Sequence, residues 1–284
     1  MKINFLKQRL DEWIWWGIIS FVAVLMFSIA IVQTIVGLLA VLWIVKIVVT
    51  PAYKFVRTPL DYPFIAFVIA RIVSVMISVD PVASVPTLYK EIPFYLIYFI
   101  VTNNLSIEKK DKIQKLIRIM IVAGCIASIY GSAKVIFGFE ERASSSTSGY
   151  STLGMFLAVI ISFTLWLGKS KELFPSRRLW SLSVLIMGGG LLLTLNRTHW
   201  GVVGVIFLIV GLLREKIALL VTLGFSGLAI IFISSISNRF YQMIHFLEYT
   251  SGRNVIWQGA LMKITERPIF GFGPRTFEQI FPLR

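Results

Sequence analysis

The chain has 284 residues, of which 57% are hydrophobic and only 15% charged, with a mean hydropathy of +0.81. That balance belongs to proteins that cross a bilayer many times and excludes an ordinary soluble domain. A formal charge of +14 and a pI near 10.0 would point to nucleic acid in a soluble protein. Here lysines and arginines on cytoplasmic flanks, where they set topology, account for it, and no nucleic-acid partner is expected.

Lys2, Lys7 and Arg9 precede an apolar run from Trp13 to Val49 that reads as retained rather than as a cleaved signal peptide. As one helix the run would be about 55 Å long, against a hydrocarbon core of about 30 Å. It is therefore divided at Gln33-Thr34 into two spans. Pro51 and Pro59 mark a loop, and a third span is expected at 62–78, ending at Val79-Asp80-Pro81. The fourth is expected at 92–104, with Pro86 and Pro93 interrupting its start. Further spans are expected at 116–137, 153–167, 180–195, 200–213 and 217–236, with a four-residue loop, Asn196-Arg197-Thr198-His199, between the seventh and eighth. Cys125 lies alone in an apolar run, so neither a disulfide framework nor a cysteine metal site is expected.

Charge orients this arrangement. With the amino terminus inside, the inner segments collect Lys46, Lys54, Arg57, the 109–118 cluster, Lys169, Lys171, Arg177, Arg178, Arg214 and Lys216. The outer loops and their flanks keep only Lys90, Lys134, Arg142 and Arg197. The positive-inside rule then fixes the orientation. The expected fold is all-α: a polytopic bundle of about nine membrane helices over residues 1–236, and an extracytoplasmic helical segment over 237–284. Gly188-Gly189-Gly190 reads as a close helix-packing site, or else as a broken-helix binding site. Arg71 lies in mid-span, where it is either one half of an ion pair or part of a donor cavity.

The outer segment carries the most informative stretch. Ser251 is placed to cap a helix and Pro268 to end it, with Trp257, Ala260, Leu261 and Ile264 at one-face spacing. Arg253 falls in the first turn, where free N–H groups and the helix dipole already favour anions and a guanidinium fork fits phosphate oxygens. Gly271 and Gly273 would let a turn approach a ligand closely. On an outer face poor in basic residues, Arg142, Arg197 and Arg253 therefore call for an anionic partner. The alternative for each is a snorkelling or solvated charge.

Ser251-Gly252-Arg253, Trp257, Pro268, Gly271 and Gly273 together resemble the extracytoplasmic loop of the O-antigen ligase and polymerase family. Leu195-Asn196-Arg197-Thr198-His199-Trp200-Gly201 resembles that family's arginine turn between two spans, with Asn196 where the family more often has Ser. The segment around Arg142, ending in Gly149-Tyr150, resembles a third arginine site. The resemblance implies an inner-membrane glycosyltransferase with no cofactor. Its donor is a glycan on undecaprenyl diphosphate, and its acceptor is a glycan or lipid hydroxyl that attacks the anomeric carbon with inversion. Charge develops on the departing diphosphate, so cations must meet it. The aspartates, at 11, 61, 80 and 111, are not neighbours in sequence, so arginines rather than a metal are expected to do this. Arg197 and Arg253 are the catalytic candidates, with Arg142 as a further substrate-binding residue.

The family's general-base histidine would fall beyond the point matched by Gly273, so the chain reads as truncated, and by itself as inactive or a non-catalytic fragment. His199, His245, Glu248 and Asp80 are the other groups within reach of that role. Residues 241–249 read as an interfacial helix with Phe240, Ile244 and Leu247 toward lipid. The rival function is a bicarbonate-type carrier. That would place charge near the bilayer midplane, on interrupted helices in repeated halves.

Overall fold

The computed structural model describes residues 2–51, 53–105, 110–146, 149–213, 223–224, 227–228, 230–245 and 253–281. Among them the chain is all-α. We number the helices α1 (Lys2–Val24), α2 (Ile29–Val49), α3 (Asp61–Met76), α4 (Pro81–Asn104), α5 (Lys110–Ile136), α6 (Tyr150–Trp166), α7 (Arg177–Leu193), α8 (Arg197–Leu213), α9 (Ser234–Ile244), α10 (Arg253–Glu266) and α11 (Phe277–Ile280). α2 and α5 are long and apolar enough to cross a membrane, and α6 and α8 are apolar but shorter. Residues 217–222, 225–226 and 229 of the ninth expected span lie outside the described residues. Contacts divide the chain into two units: Met1–Ile14, Val36–Ser106 and Leu247–Arg284 form one, and Trp15–Ile35 with Ile107–Phe246 form the other.

Two expectations about boundaries are corrected. The break in the first apolar run falls at residues 25–28, not at Gln33-Thr34. Ser28 Oγ accepts from Ile31 N–H and caps α2. Thr34 stays inside the helix because its hydroxyl donates to Ala30 O at 3.0 Å, so its polarity requires no break. α4 begins at Pro81, well before residue 92, and runs through Pro86 and Pro93. Asp80 Oδ1 accepts from Ala83 N–H at 3.0 Å, and Pro81 occupies the first turn, where it loses no hydrogen bond.

In the first unit α3 and α4 run antiparallel along a polar seam. Arg71 meets Glu91 through both carboxylate oxygens, at 2.9 and 2.6 Å, and Tyr95 Oη donates to the same carboxylate at 2.6 Å. Arg71 is thus one half of an ion pair. Further along, Asp61 accepts from Thr58 N–H, Thr58 Oγ1 and Tyr98 Oη. Lys46, 8% exposed, is held by Asp11 at 2.5 Å and by Asn104 Oδ1 at 2.7 Å.

The second unit is built on α5, α6, α7 and α8, whose facing sides form one core that includes Ile121, Leu157, Ile161, Met187, Leu191 and Phe207. Small residues set the helix spacing. A Cβ on Gly190 would lie 2.7 Å from Ser128 Cβ, and one on Gly124 would lie 3.0 Å from Met187 Sδ. α7 is continuous through its three glycines, so Gly190 marks close packing and not a break. Gly190→Val is expected to cost about 1–3 kcal/mol by forcing α5 and α7 apart. Thermal unfolding in detergent would show it, and an unchanged midpoint would contradict this packing.

The loops of this unit gather at two ends. Ser145 and Ser146 hydroxyls donate to the carbonyls of Met26 and Phe27, and Ala143 N–H donates to Leu193 O at 2.8 Å. Gln114 and Arg118 instead reach Glu172 and its carbonyl. The 140–146 loop thus meets the break between α1 and α2 and the end of α7, while the start of α5 meets the segment after α6.

Candidate functional site

The first group of interest lies in the second unit, at the end that holds the 140–146 loop. α7 stops at Leu193, and buried Thr194 folds its hydroxyl back onto Leu191 O at 2.7 Å. Leu195 then takes a left-handed conformation, φ +52°, at a cost of about 1–2 kcal/mol. The chain reverses within Thr194, Leu195 and Asn196, so the expected four-residue loop is shorter and Arg197 is the first residue of α8. Asn196 Nδ2 donates to Ser151 Oγ at 3.3 Å and so brings the starts of α6 and α8 together. Both helix dipoles present their positive ends there.

Arg142 and Arg197 both reach this end of the unit. The Arg142 guanidinium stacks 4.5 Å from the centre of the Tyr150 ring at the start of α6. Arg197 Nη1 donates to the main-chain carbonyl of Gln242, near the end of α9, at 2.9 Å. A third arginine, which the sequence reading missed, joins them: Arg239 Nη1 donates to the side-chain oxygen of the same Gln242 at 3.2 Å. Burial and then the positive charges of Arg142 and Arg197 push the Arg239 guanidinium below its usual value, while nearby Glu141 acts in the opposite sense. Among the described residues, Arg142 and Arg197 are thus the neighbouring positive charges of Arg239, and Glu141 a neighbouring negative one. The signal for Arg239 was its position just past the ninth expected span.

An apolar cavity of about 380 Å³ lies within the same unit, lined among others by Gly188, Leu191, Trp200, Phe207, Ile236 and Phe240. Its volume falls in the range of roughly 300–1,000 Å³ usual for small-molecule sites. Helical spacing ties it to the cations: Trp200 is one turn beyond Arg197, and Ile236 and Phe240 flank Arg239 on α9. Phe240, expected to face lipid, is part of the cavity wall. The expected 241–249 helix is seen only in part: α9 runs from Ser234 to Ile244, and residues 246–249 lie outside the described residues.

The histidines have other surroundings. His199 turns its Nδ1 toward Gly154 and Thr194, where that atom is buried without a hydrogen-bond partner among the described residues. A side chain at residue 154 would collide with it. His245 stacks on Tyr241 at 4.1 Å, with Nδ1 3.1 Å from Tyr241 O.

Arg253 belongs to the first unit, where it opens α10; its side chain and the capping Ser251 lie outside the described residues. The expected apolar face of α10 is not its packed face. Trp257, Leu261 and Ile264 are exposed, while Gly259 lies against Phe281, so close that a Cβ there would sit 2.6 Å from the ring. The glycine turn beyond α10 approaches protein and not an open site. Ser74 and Ser84 hydroxyls donate to Phe270 O and Pro274 O at 2.7 and 2.9 Å, and Phe272 O accepts from Val79 N–H and Ser78 Oγ. Asp80 completes the seat by accepting from Gln279 Nε2 at 2.9 Å. The Ala83 and Gln279 hydrogen bonds hold its carboxyl below the usual value of 3.8, so it is structurally engaged.

At Gly273 φ is +100°, and a Cβ would lie 2.1 Å from Ser78 Oγ. Gly273→Ala is expected to unseat the turn at a cost of about 2–4 kcal/mol, from backbone strain and the clash together. Limited proteolysis should then cut the 267–281 segment faster, and parent-like resistance would contradict this.

Comparison with protein families, curated proteins and solved structures finds no match to this chain.

Proposed function

We propose that the chain is a glycosyltransferase of the O-antigen ligase and polymerase kind. It spans the inner membrane about nine times, with its amino terminus in the cytoplasm and residues 237–284 outside. It transfers or polymerises a glycan carried on undecaprenyl diphosphate, with a glycan or lipid hydroxyl as acceptor. The observation that carries this is the pairing of a cation cluster, Arg142 with Arg197, and an apolar cavity reached from the same helix, α8. A ligand with a doubly charged head and a long hydrocarbon tail needs both. The break between α1 and α2, residues 26–27, meets residues 145–146, and residue 143 meets residue 193, which supports an alternation of spans.

The chemistry follows from the leaving group. As the acceptor hydroxyl oxygen bonds to the anomeric carbon and releases its proton to water, the bond to the diphosphate oxygen breaks and that oxygen keeps the electron pair and the negative charge. Fixed guanidinium groups and two helix amino-terminal ends offer it donors that need no reorganisation. Arg253 retains its proposed place as a diphosphate ligand through the resemblance of its loop. Arg71, the deep charge that a carrier could use, is paired with Glu91.

The test uses vesicles from cells expressing the natural gene. Labelled glycan should pass from undecaprenyl diphosphate to acceptor, and Arg253→Ala should slow it. Solute uptake without glycan transfer would favour a carrier, and equal transfer after Arg253→Ala would remove that residue from the site.

A further inference from the structure

We infer that Arg239 is a third ligand of the diphosphate, and that Gln242 is the positioning residue that holds Arg197 and Arg239 toward one anion. This rests on the reading of the Arg142–Arg197 cluster as a diphosphate site and adds the element that completes it, α9. Gln242 receives Arg197 on its main-chain carbonyl at 2.9 Å and Arg239 on its side-chain carbonyl at 3.2 Å. One residue thereby fixes two guanidinium groups that arrive from different helices. Neither bond neutralises either charge, because an amide is a dipole and not an anion.

Among the described residues Arg239 has Arg142 and Arg197 as neighbouring positive charges and Glu141 as a neighbouring negative one, and an anion would relieve the repulsion between the half-buried guanidinium groups. A diphosphate is such an anion. α9 also carries Ile236 and Phe240 into the cavity wall, on either side of Arg239. The same short helix thus touches the place for a charged head and the place for an apolar tail. Arg239 and Gln242 should accordingly govern head recognition, and Phe240 tail recognition.

The experiment measures binding to the full chain in nanodiscs, with two probes: inorganic pyrophosphate in solution, and undecaprenyl diphosphate in the disc. Arg239→Ala should weaken both by about tenfold or more, as loss of a charge-assisted contact does. Arg239→Lys should recover part of the loss, since it restores charge without the fork. Gln242→Ala should weaken pyrophosphate binding while leaving the number of ions released, read from the salt dependence, unchanged. Phe240→Ala should weaken only the lipid probe, which separates a lipid headgroup from free pyrophosphate as the bound species. Parent-like pyrophosphate binding by Arg239→Ala, with binding lost in Arg197→Ala, would overturn the role of Arg239 and leave the diphosphate site standing. Parent-like binding in both variants would bring down the diphosphate reading as well.

Discussion

Vesicles carrying Arg197→Ala are expected to transfer glycan about 10²–10³-fold more slowly than the parent, the usual loss when one donor to a developing oxyanion is removed. The reasoning starts from position. Arg197 is the first residue of α8, so its charge adds to the helix dipole, and its contact with Gln242 O aims it toward Arg142 and Arg239. The effect should fall on the rate of transfer more than on retention of the lipid, whose tail the cavity holds independently. Arg197→Lys should recover only part of the rate, because an ammonium cannot bond Gln242 O and a phosphate with the same fixed fork. Lys169→Ala, an exposed charge in another loop, serves as the control and should change nothing. Equal transfer by the Arg197→Ala variant would end the proposed mechanism.

Arg71→Ala is expected to cost about 2–4 kcal/mol of stability, because it leaves the Glu91 carboxylate without its bidentate partner in a poorly solvated seam. The pair is about one-quarter exposed on each side, so the penalty should fall below that of a fully buried pair. Replacing both members, Arg71→Met with Glu91→Leu, should restore much of the loss, since two apolar groups need no solvation. A double-mutant cycle on unfolding in detergent reads the coupling directly. Additive losses would mean that the two side chains do not act as a pair. Loss of solute uptake with normal stability would revive the carrier.

The helices were legible because apolar runs and prolines dominate them, and α5 to α8 begin and end within a few residues of expectation. The errors share one cause: a polar or imino residue was read by type and not by what satisfies it. Thr34 needs no loop once its hydroxyl bonds Ala30 O. Pro86 and Pro93 do not stop α4, because a cap at Asp80 and a proline in the first turn start the helix before either is reached. Arg142 and Arg197 stood out from sequence as charges in short outer loops. Arg239 did not, since only tertiary structure brings α9 beside α8. The exposure of Trp257, Leu261 and Ile264 was also hidden, because periodicity names a face but not what lies opposite it.

The three arginines stand far apart along the chain, at positions 142, 197 and 239, and the last is the one bound to Gln242 together with Arg197. A ribosome delivers them in that order. While the polypeptide is still emerging, the first two guanidiniums wait without the third, and the wall formed by Ile236 and Phe240 has yet to be made. On the proposed function, a nascent chain stalled before residue 234 should therefore fail to bind the lipid diphosphate.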